Sequence, residues 1–182
     1  MSAPGPAIRV WDPLVRAFHW ALALSCAIAW LTSGGAETLH GLAGYVAGGL
    51  VLARVVWGFV GSRHARFSAF LRAPRAVADY LKAIVAGSER RYVGHNPAGG
   101  AMIVVLLAVM FAAATSGWLM TTEAFWGSLA MQRLHSILAH GLLLLVLAHL
   151  AGVLLASLRH RENLVRAMVT GDKRPAGPAD VA

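Results

Sequence analysis

The sequence predicts an all-α integral membrane protein, a bundle of four transmembrane helices with a short cytoplasmic interfacial helix between the second and the third. Three observations carry this. The 182 residues are 58% hydrophobic and only 13% charged, an oily mixture for a chain in water. Four segments, Leu14 to Leu31, His40 to Val60, Ala101 to Met120 and Leu134 to Leu158, approach the roughly 20 apolar residues that a helix needs to cross a bilayer. The basic residues, finally, gather in alternate connections.

Each span ends on residues that interrupt a helix. Gly34 and Gly35 follow the first, Gly61 follows the second, and Pro97, Gly99 and Gly100 precede the third. Residues 1–182 read as a single domain, with the bundle over about 12–160 and a flexible tail over 161–182. The stretch from Phe18 to Trp30, with Thr32 to Ala36 after it, has the outline of a secretory signal. Its apolar part is long enough for a full span, however, and cleavage would discard His19.

Orientation follows from the cations. Arg9, Arg16, Arg63, Arg66, Arg72, Arg75, Lys82, Arg90, Arg91, Arg159, Arg161, Arg166, Lys173 and Arg174 fall on one side, fourteen of the sixteen Lys and Arg, whereas the two opposite connections hold only Arg133. Arg54 lies inside the second span. The positive-inside rule therefore places both termini in the cytoplasm. The net charge of +8 does not point to nucleic acid, because the cations do not interleave with stacking aromatics on a polar surface. In the long cytoplasmic connection, Val77, Tyr80, Leu81, Ile84 and Val85 recur at helical spacing between Pro74 and Gly87. This predicts the interfacial helix, with an ordinary packed loop helix as the alternative.

All eight carboxylates, Asp12, Glu37, Asp79, Glu89, Glu123, Glu162, Asp172 and Asp180, fall in connections or tails. A proton or cation pathway normally uses acids within the membrane, so a pump or ion-coupled transporter is disfavoured. The spans and their ends hold histidine instead: His19, His40, His135, His140 and His149. His135 and His149 are fourteen residues apart, about 40° short of four full turns, so they share one face at a separation of ~21 Å. His140 lies about 140° round from His135 and is left out of the ligand set. Because alternate spans run in opposite directions, His19 meets the depth of His149, and His40 that of His135. One zinc or copper ion cannot bridge ~21 Å. Two opposed imidazole pairs suit the two axial positions of haem iron. Cys26 is the only cysteine and there is no C-x-x-C-H motif, so any haem is held without a covalent bond. Gly44 and Gly48 follow His40 at i+4 and i+8 and leave a channel for a flat macrocycle, although small residues also serve close helix packing. Anionic propionates near lipid call for cations: Arg133 for the outer haem, and Arg16 or Arg54 for the inner one. The simpler role for Arg16 and Arg133 is to snorkel to lipid headgroups.

Val10 to Trp20, His40 to Tyr45 leading to Arg54 and Trp57 to Gly61, His64 to Phe67, and Gly94 to Gly99 together resemble the prokaryotic cytochrome b561 family, which includes the b-type cytochrome subunits of nickel-iron hydrogenases. The resemblance runs from about Val10 to Leu158. It implies a four-helix membrane bundle with two haems b on His19, His40, His135 and His149, the set already reached from spacing. It further implies electron exchange between ubiquinone or a related quinone and a partner: a hydrogenase, a soluble periplasmic cytochrome or other redox protein, or superoxide itself. Three functions follow. The chain is expected to be an electron conduit between quinone and a periplasmic redox protein. The alternatives are an oxidoreductase passing electrons from superoxide to quinone, and a non-redox membrane or assembly protein. His64 and His95 also match family motifs and are expected only to cap or to bond in turns.

Overall fold

The computed structural model describes residues 7–181. Four helices are long and apolar enough to cross a membrane: α1 (Pro13–Thr32), α2 (Glu37–Val60), α5 (Pro97–Leu119) and α6 (Leu129–Arg159). Between α2 and α5 come α3 (Phe67–Phe70) and α4 (Pro74–Ala86), and the chain closes with α7 (Leu164–Thr170) and strand β2 (Asp172–Lys173), which pairs with β1 (Ile8–Arg9). The four predicted spans all appear, each within a few residues of its expected ends.

Local chemistry sets the boundaries. Asp12 Oδ1 accepts the Val15 amide at 2.8 Å, an N-cap for α1 with Pro13 in the first turn. Asn96 does the same for α5, accepting the Gly99 amide at 2.7 Å ahead of Pro97. Gly100 is required on that helix, because a Cβ there would lie 2.8 Å from the Phe70 carbonyl. Helix α4 begins at Pro74 and ends at Gly87, whose φ of 67° supplies the left-handed cap. Tyr80 is buried, while Leu81 and Val85 are exposed at 49% and 89%. The helix itself is therefore as predicted.

The large apolar side chains on the long helices face outward, among them Leu31, Val60, Ile137, Leu144, Leu154 and Leu158. In the most apolar stretch of α6 only 6% of residues are buried. A soluble domain does not leave so much contiguous apolar surface in water, whereas hydrocarbon asks only that the backbone be satisfied within the helix.

The chain divides into two compact units. The first comprises residues 1–16, 57–103 and 148–182 and holds all fourteen cations assigned above to one side. Its core is Val10, Trp11, Val93 and Ala167. The second comprises residues 17–56 and 104–147.

The tail departs from expectation: it is built into the first unit. Arg91, 4% exposed, donates from Nε and Nη2 to the two oxygens of Glu162 at 3.1 and 2.7 Å. Its Nη1 reaches Asp180 at 2.5 Å and the Pro175 carbonyl, and Nη2 also meets the Arg174 carbonyl. These contacts use all five guanidinium donors. Lys173, also buried, bonds the Val93 carbonyl at 2.9 Å and lies 3.4 Å from Glu162. The tail adds Ala167 to the core, with Met168 packed against it, and its order comes from this burial, from these charges and from Gly171. The φ of 89° at Gly171 places its carbonyl as acceptor for the amides of Val10 and Trp11.

Burial pushes the Glu162 and Asp180 carboxyls up, but bonds to Arg91 and to backbone amides outweigh it and hold both below the ordinary carboxylate range. A depressed folded-state pKa contributes stability that is present above the unfolded value and lost as pH falls through the folded one. Below about pH 4 the tail should therefore loosen, seen as faster proteolysis after Arg161. At neutral pH, Arg91→Ala should cost about 3–5 kcal/mol by leaving buried carboxylates uncompensated. A thermal melt unchanged by that substitution would contradict the assignment.

Candidate functional site: an imidazole pair in the second unit

Within the second unit, α2 buries Ala43, Ala47, Val51 and Arg54, spaced by four, four and three residues and so on one face. His40 opens the neighbouring face, followed by Gly44 and Gly48. A Cβ on Gly44 would meet no atom within 4 Å, whereas one on Gly48 would touch the Ala114 Cβ at 3.3 Å. Gly44 thus borders open space, and Gly48 a close helix approach.

The structure brings His40 and His135 together. Their ring centroids are 6.0 Å apart and their planes close to perpendicular, at 81°. His40 Nδ1 lies 2.7 Å from the Ala29 carbonyl of α1. His135 Nδ1 lies 3.1 Å from the Ala113 carbonyl and 3.0 Å from Ser116 Oγ on α5. The Ser116 hydroxyl itself donates to Ala113 O at 2.8 Å, which leaves its oxygen able to accept. A carbonyl can only accept, so each Nδ1 must carry its hydrogen and each Nε2 keeps a lone pair for another partner. The backbone of two neighbouring helices thereby fixes the tautomer of both rings.

His140 is not part of this arrangement. It is exposed, bonds the carbonyl of Ser136 one turn back at 2.7 Å, and meets Trp30 edge-on at 5.4 Å. His19 lies on α1 in the second unit, edge-on to Trp20 at 5.0 Å, and His149 lies on α6 in the first. Their pairing rests on the depth argument from sequence. Arg54 is buried at 6% exposure on α2, and Arg133 is exposed near the start of α6. In the first unit, Arg16 donates from Nη1 to the Val169 carbonyl at 2.5 Å, closing the end of α7.

The family profile described as "Prokaryotic cytochrome b561" matches residues 10–171. The chain belongs to the prokaryotic cytochrome b561 family. Among curated proteins and among solved structures, nothing matches it. As a cytochrome b561 family member it is a multi-pass membrane protein and a b-type, haem-binding cytochrome of electron transfer.

The imidazole pair fits such a group. Two imidazoles bound to opposite sides of one iron, at about 2 Å per metal–nitrogen bond, would have centroids about 6 Å apart, which is the separation found. Among the described residues no cluster of three His, Cys, Asp or Glu offers an alternative metal centre.

Reading the spans for ionisable groups alone does not find Ser116. The available signal was a hydroxyl in an apolar span, where a polar side chain needs a partner. His95 also makes tilted ring contacts, with Trp11 at 4.5 Å and Phe70 at 4.7 Å.

The carbonyl contacts make a direct prediction. In haem-free protein, ¹⁵N shifts of His40 and His135 should report the Nδ1–H tautomer for both rings. Ser116→Ala should leave His135 in that tautomer, because Ala113 O still accepts. Nε2–H signals for either ring in the wild type would contradict the geometry.

Proposed function

We propose that this cytochrome holds two haems b, one between His40 and His135 and one between His19 and His149, and carries electrons across the bacterial inner membrane between the quinone pool and a periplasmic redox partner. The observation that carries this reading is the His40–His135 pair with both Nδ1 atoms tied to backbone carbonyls. Haem b, when bound, supplies a one-electron ferric/ferrous couple. The chain's own part is to present two neutral Nε2 donors, keep their orientation through Ala29, Ala113 and Ser116, and exclude water with apolar walls.

Grouping of fourteen cations in the first unit supports cytoplasmic termini, with α4 lying on the inner leaflet through Leu81 and Val85 and Lys82 among the headgroups. Oxidation of superoxide at the outer surface would call for a cationic funnel. Arg133 is the one Lys or Arg on that side, which favours the conduit. Removing a positive charge near a haem favours its oxidised form, so Arg133, or Arg54 and Arg16 at the other pair, would raise the potential of the haem it serves.

Purified protein should give a b-type reduced-minus-oxidised spectrum and two haems per chain by pyridine haemochrome. His40→Ala and His135→Ala should each remove the same single haem, His19→Ala and His149→Ala the other, and His140→Ala neither. One haem per chain in the wild type, or loss on His140→Ala, would refute the ligand set.

In a redox titration, Arg133→Gln should lower one midpoint potential and leave the second nearly unchanged. Two unchanged potentials with both haems retained would remove Arg133 from the site.

A further inference from the structure

The first unit contains a cavity of about 150 Å³ that the electron-transfer reading does not use, walled by Arg63, His64, Arg72, Tyr92, His95 and the tail residue Val181, among others. At roughly 30 Å³ per water molecule, it has room for a tetrahedral anion. Among the described residues no carboxylate side chain lines it. The acids of this unit are committed elsewhere: Asp12 to Ser62 and Trp57, Glu89 to Arg159, Glu162 and Asp180 to Arg91, Asp172 to Arg9, and Asp79 to Lys82. Arg63 and Arg72 make no ion pair among the described residues, and Arg72 only returns to the Leu71 and Ala69 carbonyls at 3.3 and 3.2 Å. A Cβ on Gly94 would come within 3.2 Å of His64 Nδ1, so this glycine keeps the imidazole edge accessible. Burial, reinforced by Arg63 and Lys173, holds His64 below its ordinary pKa.

We infer that this cavity binds a phosphate group, with the Arg63 and Arg72 guanidinium groups as charged donors and His64 and His95 at its wall. Two guanidinium groups match the charge and multiple acceptor oxygens of a phosphate monoester. The source is either an anionic lipid headgroup or a soluble phosphate. Val181 is fixed by backbone bonds to Arg91 and Val93, so the ordered tail completes the wall. This inference does not depend on the haem assignment.

The test is thermal unfolding of the full-length, haem-loaded protein in detergent, followed by tryptophan fluorescence. The additions are inorganic phosphate, chloride at matched ionic strength, and micelles doped with phosphatidic acid or with phosphatidylcholine. Phosphate or phosphatidic acid should raise the melting temperature, whereas chloride and phosphatidylcholine should not. A response to phosphatidic acid alone identifies a lipid headgroup as the source. A response to inorganic phosphate identifies a site that accepts the free group. Arg63→Gln with Arg72→Gln should weaken half-saturation at least about tenfold, the scale of losing charged hydrogen bonds, while Arg75→Gln on α4 should not. Should the double variant lose its haem spectrum, Arg63→Gln alone supplies the comparison. An equal response in the variant, or no response of the wild type to either phosphate compound, would overturn the inference.

Discussion

Hydrocarbon offers no hydrogen bonds, and this constraint orders the rest of the molecule. It requires the spans to be helices, whose amides bond internally, and it lets large apolar side chains face outward. It also makes any polar side chain within a span answerable to a partner. His40 and His135 meet that demand with main-chain carbonyls of α1 and α5. Such carbonyls are normally committed to their own helix, but each has a second lone pair. The neighbouring helix thus satisfies the buried ring and selects its tautomer in one contact. A ring held in this way needs no carboxylate in the span, and the acids of this cytochrome b561 family member all lie in connections, tails or the first turn of a helix.

The first unit is built on the opposite principle. Charge is abundant there, and side chains far apart in sequence hold it together. Arg91 and Glu162 are separated by 71 residues and Arg91 and Asp180 by 89. With all donors of Arg91 engaged, removing either carboxylate leaves part of a buried guanidinium without a bond. Asp12 links the start of α1 to the end of α2 in the same manner, accepting from Ser62 and, at 3.4 Å, from Trp57. Bonds from Ser62, Val15 and Trp57 overcome the effect of burial and hold its carboxyl below the ordinary range.

The spans were legible because hydropathy and length are local properties, and α4 because Pro74 and Gly87 bracket an amphipathic run. The His40–His135 encounter was legible from helix periodicity and alternating direction, since both residues lie near helix ends where depth is easily counted. The tail was not. Residues 161–182 carry charges and prolines that read as solvated, and residues distant in sequence, Arg91, Val93 and the β1 strand, order the described part of them. Ser116 escaped for a related reason: its contact to His135 depends on the rotation of α5 about its axis, which an apolar span with little asymmetry does not encode. His95 likewise takes its position from Trp11 and Phe70, residues remote in sequence from it and from each other.

The clasp around Arg91 also sets an order of assembly. Glu162, Lys173 and Asp180 are translated after all four spans, so Arg91 emerges long before its partners exist. Until they leave the ribosome, that guanidinium must remain hydrated or bound to lipid phosphate, and the walls provided by the tail are missing. At a synthesis rate of roughly 5–20 residues per second, the 89 residues between Arg91 and Asp180 correspond to a delay of several seconds. Membrane insertion can proceed in that interval, and closure of the cation-rich unit is left as a post-insertion step, open to quality-control proteases until the last strand is in place.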